Sequence, residues 1–128
     1  MSNLFRSVLG GVAMVVLPLQ AGAVELVMVH QAGCQYCLRW TEEIGPIYPK
    51  TAKGRFAPLK RVELGSAEMD DLALERRVNF TPTFILVDDG GTEMARLEGY
   101  PGEDFFWGIL EQILIKNAGF SPSQDGGS

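Results

Sequence analysis

Apolar and polar positions along the chain change their period several times, and each period predicts a different element. The nearly continuous apolar run over residues 25–31 is typical of a buried strand. Apolar residues then recur at helical spacing from residue 35 to about residue 48, which predicts a helix with one apolar face. Pro46 lies inside this stripe and predicts that the helix kinks or ends early there.

The rest of the chain predicts the elements of one α/β domain with a central mixed sheet. In chain order they are a strand over 54–64, a helix that Ser66 caps and that continues to about Arg77, strands over 84–87 and 93–97 joined by the Asp-Gly turn 88–91, and a helix over 103–117. The order β-α-β-α-β-β-α predicts a βαβ unit with parallel strands and then a ββα unit that begins with a hairpin, with helices flanking the sheet.

Residues 1–23 have the pattern of a secretory signal peptide. Arg6 supplies a positive start, residues 8–19 form an apolar stretch of 12 residues, and residues 21–23 (Ala-Gly-Ala) match an A-x-A cleavage signature. A membrane-spanning helix needs about 20 apolar residues, which this stretch does not reach. We therefore expect export to the periplasm and cleavage after Ala23, with an uncleaved N-terminal anchor as the alternative.

The composition fits one ordinary globular domain with an acid excess. The chain has 128 residues, is 46% hydrophobic and 21% charged, and carries a formal net charge of −5. It lacks the basic excess that is typical of nucleic-acid-binding proteins, so we expect no nucleic-acid partner. We expect a domain over residues 24–118 and a flexible tail over residues 119–128, which are rich in Ser, Gly and Pro.

Cys34 and Cys37 are the only cysteines in the chain, and they follow directly on the first predicted strand. This spacing places Cys34 at the start of the next helix, where unpaired backbone N–H groups and the helix dipole favour a thiolate. Cys37 lies one turn further in, from where it can close back on Cys34. The arrangement predicts thiol–disulfide exchange with both cysteines as catalytic residues, without a metal or another cofactor.

The dithiol after the first strand and the segment Thr81-Pro82-Thr83-Phe84 before the third together resemble the thioredoxin superfamily. The match covers nearly all of the predicted domain and implies the thioredoxin fold. It implies a cis peptide bond between Thr81 and Pro82, and it makes these two residues the edge on which a substrate strand docks. Gln35 and Tyr36, between the cysteines, are assigned to tuning the thiolate and the reduction potential.

Three positions depart from the plain cytoplasmic thioredoxins. The residue before the first cysteine is Gly33, where those thioredoxins have Trp. Between the cysteines, Gln35-Tyr36 replaces their Gly-Pro. Met28 replaces a buried Asp that assists proton transfer at the second cysteine in those proteins. A tyrosine between the cysteines is more similar to glutaredoxins and bacterial disulfide isomerases. The resemblance therefore leaves the direction of electron flow and the potential open.

Residues 33–40 and 44–48 are similar to the periplasmic thioredoxins of bacterial sulfur-oxidation (Sox) gene clusters. This resemblance implies that the partners are cysteine-bearing proteins of sulfur-compound oxidation, kept active by reduction. Sustained reduction outside the cytoplasm also requires an electron donor in the membrane. The sequence contains no dimerisation domain of the kind that disulfide isomerases have, so we expect a monomer.

Three other interpretations of the dithiol stay open. A structural disulfide would close a very short loop and would stabilise little. Binding or delivery of copper or zinc would have His30 as the one nitrogen ligand beside the two thiolates, which is fewer than the four ligands of a closed zinc site. Glutathione-linked reduction would need groups that bind the carboxylates of the tripeptide, for which Arg39 is the candidate.

Overall fold

A computed structural model gives the architecture of the protein and describes residues 10–13 and 23–122. The elements in chain order are β1 (Glu25–His30), α1 (Gln35–Glu43), a 3₁₀ turn (Tyr48–Lys50), α2 (Ala52–Phe56), β2 (Leu59–Glu63), a 3₁₀ turn (Ala67–Asp71), β3 (Thr83–Val87), β4 (Glu93–Glu98) and α3 (Glu103–Ala118). Within the described ranges, no helix has the length and apolar character needed to cross a membrane. The predicted signal peptide and its cleavage site lie almost wholly outside these ranges.

The four strands form one mixed sheet in the order β2-β1-β3-β4. β1 and β2 are parallel, whereas β3 is antiparallel to both β1 and β4, so the predicted βαβ and ββα units are confirmed. Val29 near the end of β1 pairs with Thr83 at the start of β3, which in turn pairs with Glu98 at the end of β4. The carboxyl end of β1 therefore lies between β2 on one side and the start of β3 on the other.

Successive side chains of a strand point to opposite faces of the sheet, so the core consists of one cluster of buried side chains on each face. All three helices pack on the first face, where the large buried side chains include Leu26, Met28, Trp40, Phe84 and Phe106. The buried strand residues of the second face are Val27, Val29, Val62, Ile85 and Val87. This second face is covered by residues 64–78, which we call the covering segment.

The first helix ends at Glu43, as the proline three residues later predicts. The backbone N–H groups of Ile44 and Gly45 both donate to the carbonyl oxygen of Trp40, at 2.8 and 3.1 Å, and Pro46 has no N–H with which to continue the helix. The chain then forms the first 3₁₀ turn and α2. The predicted strand over 54–64 is therefore too long, because its first residues belong to α2 and β2 begins only at Leu59.

The predicted helix from Ser66 to about Arg77 is wrong. Only the short 3₁₀ turn forms, and the side chain of Ser66 makes no capping hydrogen bond. The reason is that the following backbone bonds to the sheet edge: the N–H of Ala73 donates to the carbonyl of Gly91, and the carbonyl of Ala73 accepts from the N–H of Glu93, both at 2.9 Å. These bonds replace the intrahelical bonds that local propensity favours.

The last helix forms as predicted and extends to Ala118, with Gly119 in the left-handed conformation after it. Of the predicted tail, the structure describes residues 119–122, and Phe120 is buried with its ring centroid 5.2 Å from that of Phe56. The packed core therefore includes Phe120, inside the stretch predicted as tail, and residues 123–128 lie outside the described ranges.

Candidate active site

Cys34 and Cys37 form a disulfide at the N-terminus of α1, with an S–S distance of 2.12 Å and 5.2 Å between their Cα atoms. Cys34 is the N-cap residue of the helix, and its Sγ accepts a hydrogen bond from the backbone N–H of Cys37 at 3.1 Å. The sulfur of Cys34 thus takes the place of the capping oxygen of a Ser or Asp, next to the positive end of the helix dipole. This position stabilises a thiolate on Cys34 when the pair is reduced.

The short loop after β1 sets the position of Cys34. Gly33 has a φ of +77°, in the left-handed region where a glycine avoids the clash of a Cβ atom. The backbone N–H of Cys34 then donates to the carbonyl of Gln31 at 3.3 Å. The reversal of the chain places the first cysteine at the mouth of the helix, directly beyond the carboxyl end of β1.

The two cysteines differ sharply in their surroundings. Cys34 is half-buried, whereas Cys37 is only 7% exposed and belongs to the apolar cluster of the first face. Met28 in the strand and Trp40 one turn further along α1 are fully buried members of the same cluster. Burial in apolar surroundings raises the pKa of a thiol, so the reduced pair would combine a reachable thiolate with a protonated neighbour behind it.

The peptide bond between Thr81 and Pro82 is cis, as the resemblance implies. The carbonyl of Pro82 accepts a hydrogen bond from the N–H of Gly99 at 2.7 Å, which ties this loop to the end of β4. On the other side, Nε2 of Gln31 donates to Oγ1 of Thr81 at 2.9 Å. The Thr81–Pro82 loop is therefore held to the same loop that carries Cys34.

A groove of about 370 Å³ runs beside the Thr81–Pro82 loop, and we call it the docking groove. It is lined by Tyr36, Phe80, Thr81, Glu98 and Gly99. The aromatic side chains of Tyr36 and Phe80 are 58% and 61% exposed. The groove thus brings the residue between the two cysteines together with the predicted docking edge.

A second cavity, of about 510 Å³, opens on the opposite side of the dithiol, towards β2. It is lined by both cysteines together with His30, Thr41 and Arg61, among others, and we call it the β2-side pocket. Nη1 of Arg61 donates to Oγ1 of Thr41 at 3.0 Å, and the guanidinium lies 5.6 Å from the ring centroid of Trp40. No carboxylate of the described residues lies within ion-pair distance of Arg61, so the pocket has a positive side next to the dithiol.

Charged groups around the site are also tied into the fold. The hydroxyl of Tyr100 donates to Glu43 at 2.5 Å, and Nε of Arg39 donates to the same carboxylate at 2.8 Å. Both bonds lower the pKa of Glu43, and the bond from Tyr100 has the larger effect. The bond from Tyr100 holds the loop after β4, and with it Gly99 of the docking groove, against the last turn of α1.

Glu98 gives the docking groove a negative charge. Nη2 of Arg76 donates to its carboxylate at 2.6 Å, and this bond is the main reason that the pKa of Glu98 is lowered. The carboxylate therefore stays ionised at neutral pH and is paired with Arg76 and Arg96. On the side of β2, Arg61 has no such carboxylate partner among the described residues.

The structure around the dithiol gives little support to the interpretations as a metal site or as a glutathione-linked reductase. No group of three or more His, Cys, Asp or Glu side chains with the spacing of a metal site occurs in the described ranges. Arg39, the candidate for the glutathione carboxylates, is paired with Glu43 on the exposed side of α1. The α3 start contributes the acidic side chains Glu103 and Asp104, which would repel a carboxylate.

Three site residues carry no strong sequence signal. Phe80 was recognisable only as an apolar residue outside any predicted strand, directly before the Thr-Pro pair. Gln31 lies at the end of a strand pattern, and Arg61 lies in a basic run that also fits a solvated face. The proximity of Phe80 and Arg61 to the dithiol, and the contact of Gln31 with Thr81, depend on strand pairing and on a loop conformation, which local sequence patterns do not contain.

The chain is similar to proteins of one family. Residues 13–114 match the family model of the thioredoxin-like domain. The structure is similar to that of the periplasmic thioredoxin SoxS from Paracoccus pantotrophus in its reduced form, at 49% sequence identity and a TM-score of 0.67, over 71% of this chain and 95% of that one. The fold is shared with an uncharacterised thioredoxin-like protein from Clostridium perfringens, at 22% identity, a TM-score of 0.53 and 79% of each chain. A comparison with curated proteins finds no match.

The match to the family model covers most of the chain, and the similarity to SoxS extends over nearly the whole of that structure. Both agree with the mixed four-stranded sheet and with the Cys-x-x-Cys pair at the helix start. The chain therefore belongs to the thioredoxin-like family and is a thiol–disulfide oxidoreductase with Cys34 and Cys37 as its Cys-x-x-Cys pair.

Proposed function

We propose that the protein is an exported reductant of protein disulfides, with Cys34 as the attacking and Cys37 as the resolving cysteine. The observation that carries this proposal is the difference between the two sulfurs. Cys34 caps α1 with its sulfur bonded to a backbone N–H, while Cys37 is 7% exposed within the apolar core. One sulfur is thus reachable and favoured as a thiolate, and the other is positioned to act only after the first has reacted.

The cycle has two displacement steps. The Cys34 thiolate attacks one sulfur of a partner disulfide, and the partner's other sulfur leaves as a thiolate that takes up a proton. Cys37 then loses its proton and attacks Cys34, which releases the partner's second sulfur and leaves the Cys34–Cys37 disulfide. The partner gains two electrons from the enzyme and two protons, one that Cys37 gives up and one from solvent, because Cys34 reacts as a thiolate. A dithiol donor must then reduce the enzyme again.

Substrate docking is assigned to Thr81 and Pro82. A partner segment would lie along this loop in extended form, so that backbone pairing supplies affinity and the groove side chains supply selectivity. The docking groove supports this role because it joins Thr81 to Tyr36 in one cavity. Gln35 and Tyr36, between the cysteines, would tune the stability of the thiolate and hence the potential.

The periplasm is the proposed location, with residues 1–23 as a cleaved signal peptide and a domain that begins at residue 24 and extends beyond residue 118 to include the buried Phe120. The similarity to a periplasmic thioredoxin at 49% identity supports this location. The partners would be cysteine-bearing proteins of sulfur-compound oxidation, and a membrane protein would supply the electrons. We expect the protein to act as a monomer without a metal or another cofactor.

The test compares two matched serine variants in the reduction of insulin with a dithiol donor. The wild type should precipitate the insulin B chain, Cys34→Ser should abolish this activity, and Cys37→Ser should accumulate a mixed disulfide with a periplasmic partner. Identification of the trapped protein tests the assignment to sulfur oxidation. The proposed roles are wrong if Cys34→Ser captures partners and Cys37→Ser does not, or if the wild type leaves insulin intact.

A further inference from the structure

The resolving step needs a proton acceptor, and this requirement rests on the proposed roles of the two cysteines. Cys37 attacks only as a thiolate, yet its burial favours the protonated thiol. The apolar cluster to which it belongs contains Met28, Trp40 and Phe84, and none of these side chains accepts a proton. The proton of Cys37 must therefore leave by another route.

The β2-side pocket supplies such a route. It is open to solvent and is lined by both cysteines, so that it connects Cys37 with the outside on the side away from the docking groove. The pocket shares no lining residue with the docking groove, so a partner segment along Thr81 and Pro82 need not fill it. Water in the pocket could thus carry a proton even while the mixed disulfide is in place.

Apart from the cysteines, His30 is the one side chain lining this pocket with a nitrogen that can accept a proton. It lines the pocket together with both cysteines, and alternation along β1 puts it on the same face of the sheet as Met28. Arginine does not lose its proton in proteins, so Arg61 cannot serve as the base. Imidazole is the side chain that changes its charge between pH 5 and 8.

We propose that His30 accepts the proton of Cys37 through the solvent of the β2-side pocket during the resolving step. The S–H bond of Cys37 breaks, its proton passes to the imidazole, and the sulfur forms a bond with Cys34 as the bond between Cys34 and the partner breaks. The imidazolium then returns the proton to the departing thiolate or to solvent. No further oxidant or reductant takes part.

The charged groups around His30 fit this role. From β2, Arg61 lines the same pocket and Glu63 is the register partner of His30, with its side chain exposed. From α1, the Cys34 thiolate is the only charge in the pocket, and it is neutralised once the mixed disulfide has formed. The positive Arg61 then favours both a neutral imidazole and an ionised Cys37.

The test separates attack from resolution by stopped-flow measurement on a quenched fluorescent peptide disulfide. One half of the peptide leaves when Cys34 attacks, and the other leaves when Cys37 resolves. In His30→Gln, release of the first half should stay within about twofold of the wild type, while release of the second should slow about 100-fold at pH 7, a typical loss for a general base. The second step of this variant should also depend more steeply on pH between pH 5 and 8, because only Cys37 that has already ionised can then attack, and imidazole in the buffer should restore part of the rate.

Glu42→Gln is the matched control, because Glu42 is exposed on α1 and does not line the pocket, and it should leave both steps unchanged. His30→Asn provides a second variant, with thermal unfolding of each oxidised protein as the check on folding. The proposal is overturned if the second step keeps its rate and pH dependence in both His30 variants, or if both steps slow equally, which would indicate an effect of His30 on Cys34. A wild type that releases neither half would instead overturn the proposed function itself.

Discussion

Phe80 and Tyr36 expose more than half of their side chains on the two sides of the docking groove. Exposed aromatic side chains beside a reactive centre are typical of surfaces that bind other proteins, because they offer a large apolar area at a low cost in side-chain entropy. The backbone of the Thr81–Pro82 loop is the same for any partner, so these rings are the groups that would distinguish one partner segment from another.

Phe80→Ser should therefore weaken the reduction of proteins but not of small disulfides. Burial of a phenylalanine side chain contributes about 1.5–3 kcal/mol, so kcat/KM for insulin should fall by roughly tenfold or more. The rate with a small aromatic disulfide should stay the same. Steady-state kinetics with the two substrates measure the effect.

Phe105→Ser is the matched control, because Phe105 is 69% exposed on α3 and does not line the groove. It should leave both rates unchanged. Equal losses for insulin and for the small disulfide in Phe80→Ser would mean that Phe80 supports the dithiol rather than the partner.

The covering segment is the element that the sequence predicts least well, and a buried ion pair holds it in place. Arg96 on β4 donates to Glu93 at 2.5 and 2.7 Å and to the carbonyls of Arg76 and Arg77 at 2.9 and 3.2 Å. Its side chain is 5% exposed and that of Glu93 is 2% exposed. One arginine therefore fixes the segment to the edge of the sheet, above the apolar residues of the second face.

Arg96→Met should destabilise the protein by about 3–5 kcal/mol at pH 7, because it leaves Glu93 buried without its cation. The bond from Arg96 is the main reason that the pKa of Glu93 is lowered. The stabilisation is thus complete above the ordinary glutamate pKa of about 4.3, and it is lost as the pH falls below that value through the lowered pKa. The difference between variant and wild type should shrink over the same range. Urea unfolding at several pH values measures both effects.

Arg39→Met makes the same substitution in the exposed pair with Glu43, where solvent screens the two charges and little or no loss of stability is expected. Comparable losses of stability in the two variants would contradict the assignment of the ion pair as the attachment of the covering segment. So would a difference in stability between Arg96→Met and the wild type that grows on acidification.

Elements whose signals are local could be predicted, and those that depend on distant contacts could not. The hairpin of β3 and β4 follows from its turn, in which Oδ1 of Asp88 accepts from the N–H groups of Gly90 and Thr92. The helix predicted for the covering segment does not form, because the backbone of this segment bonds to β4. Gly54 belongs to the predicted strand over 54–64 but lies inside α2. Only glycine fits at this position, because a Cβ atom there would lie 1.7 Å from the carbonyl oxygen of Tyr48. Such a close approach leaves no trace in a hydrophobic pattern.

At the scale of the whole molecule, the mixed sheet places the dithiol between two cavities of different character. β1 is a central strand, so the helix start that follows it faces the β2-side pocket on one side and the docking groove on the other. The Cys34–Cys37 pair at a helix start and the cis bond between Thr81 and Pro82 could be expected because each motif is contiguous in sequence, while the docking role of Thr81 and Pro82 stays a prediction. The roles of Gln31 and Arg61 arise only where β1, β2 and the Thr81–Pro82 loop meet.

The most direct test of the account is the pH dependence of alkylation of the two cysteines in the reduced protein, followed by mass spectrometry of each sulfur. We predict that Cys34 reacts with iodoacetamide with a midpoint within the range of about 3.5–7.5 for thiols at helix N-termini, while Cys37 stays protected in the folded protein. A midpoint for Cys34 near 8.5, the value of a free cysteine, or faster modification of Cys37 would contradict the account.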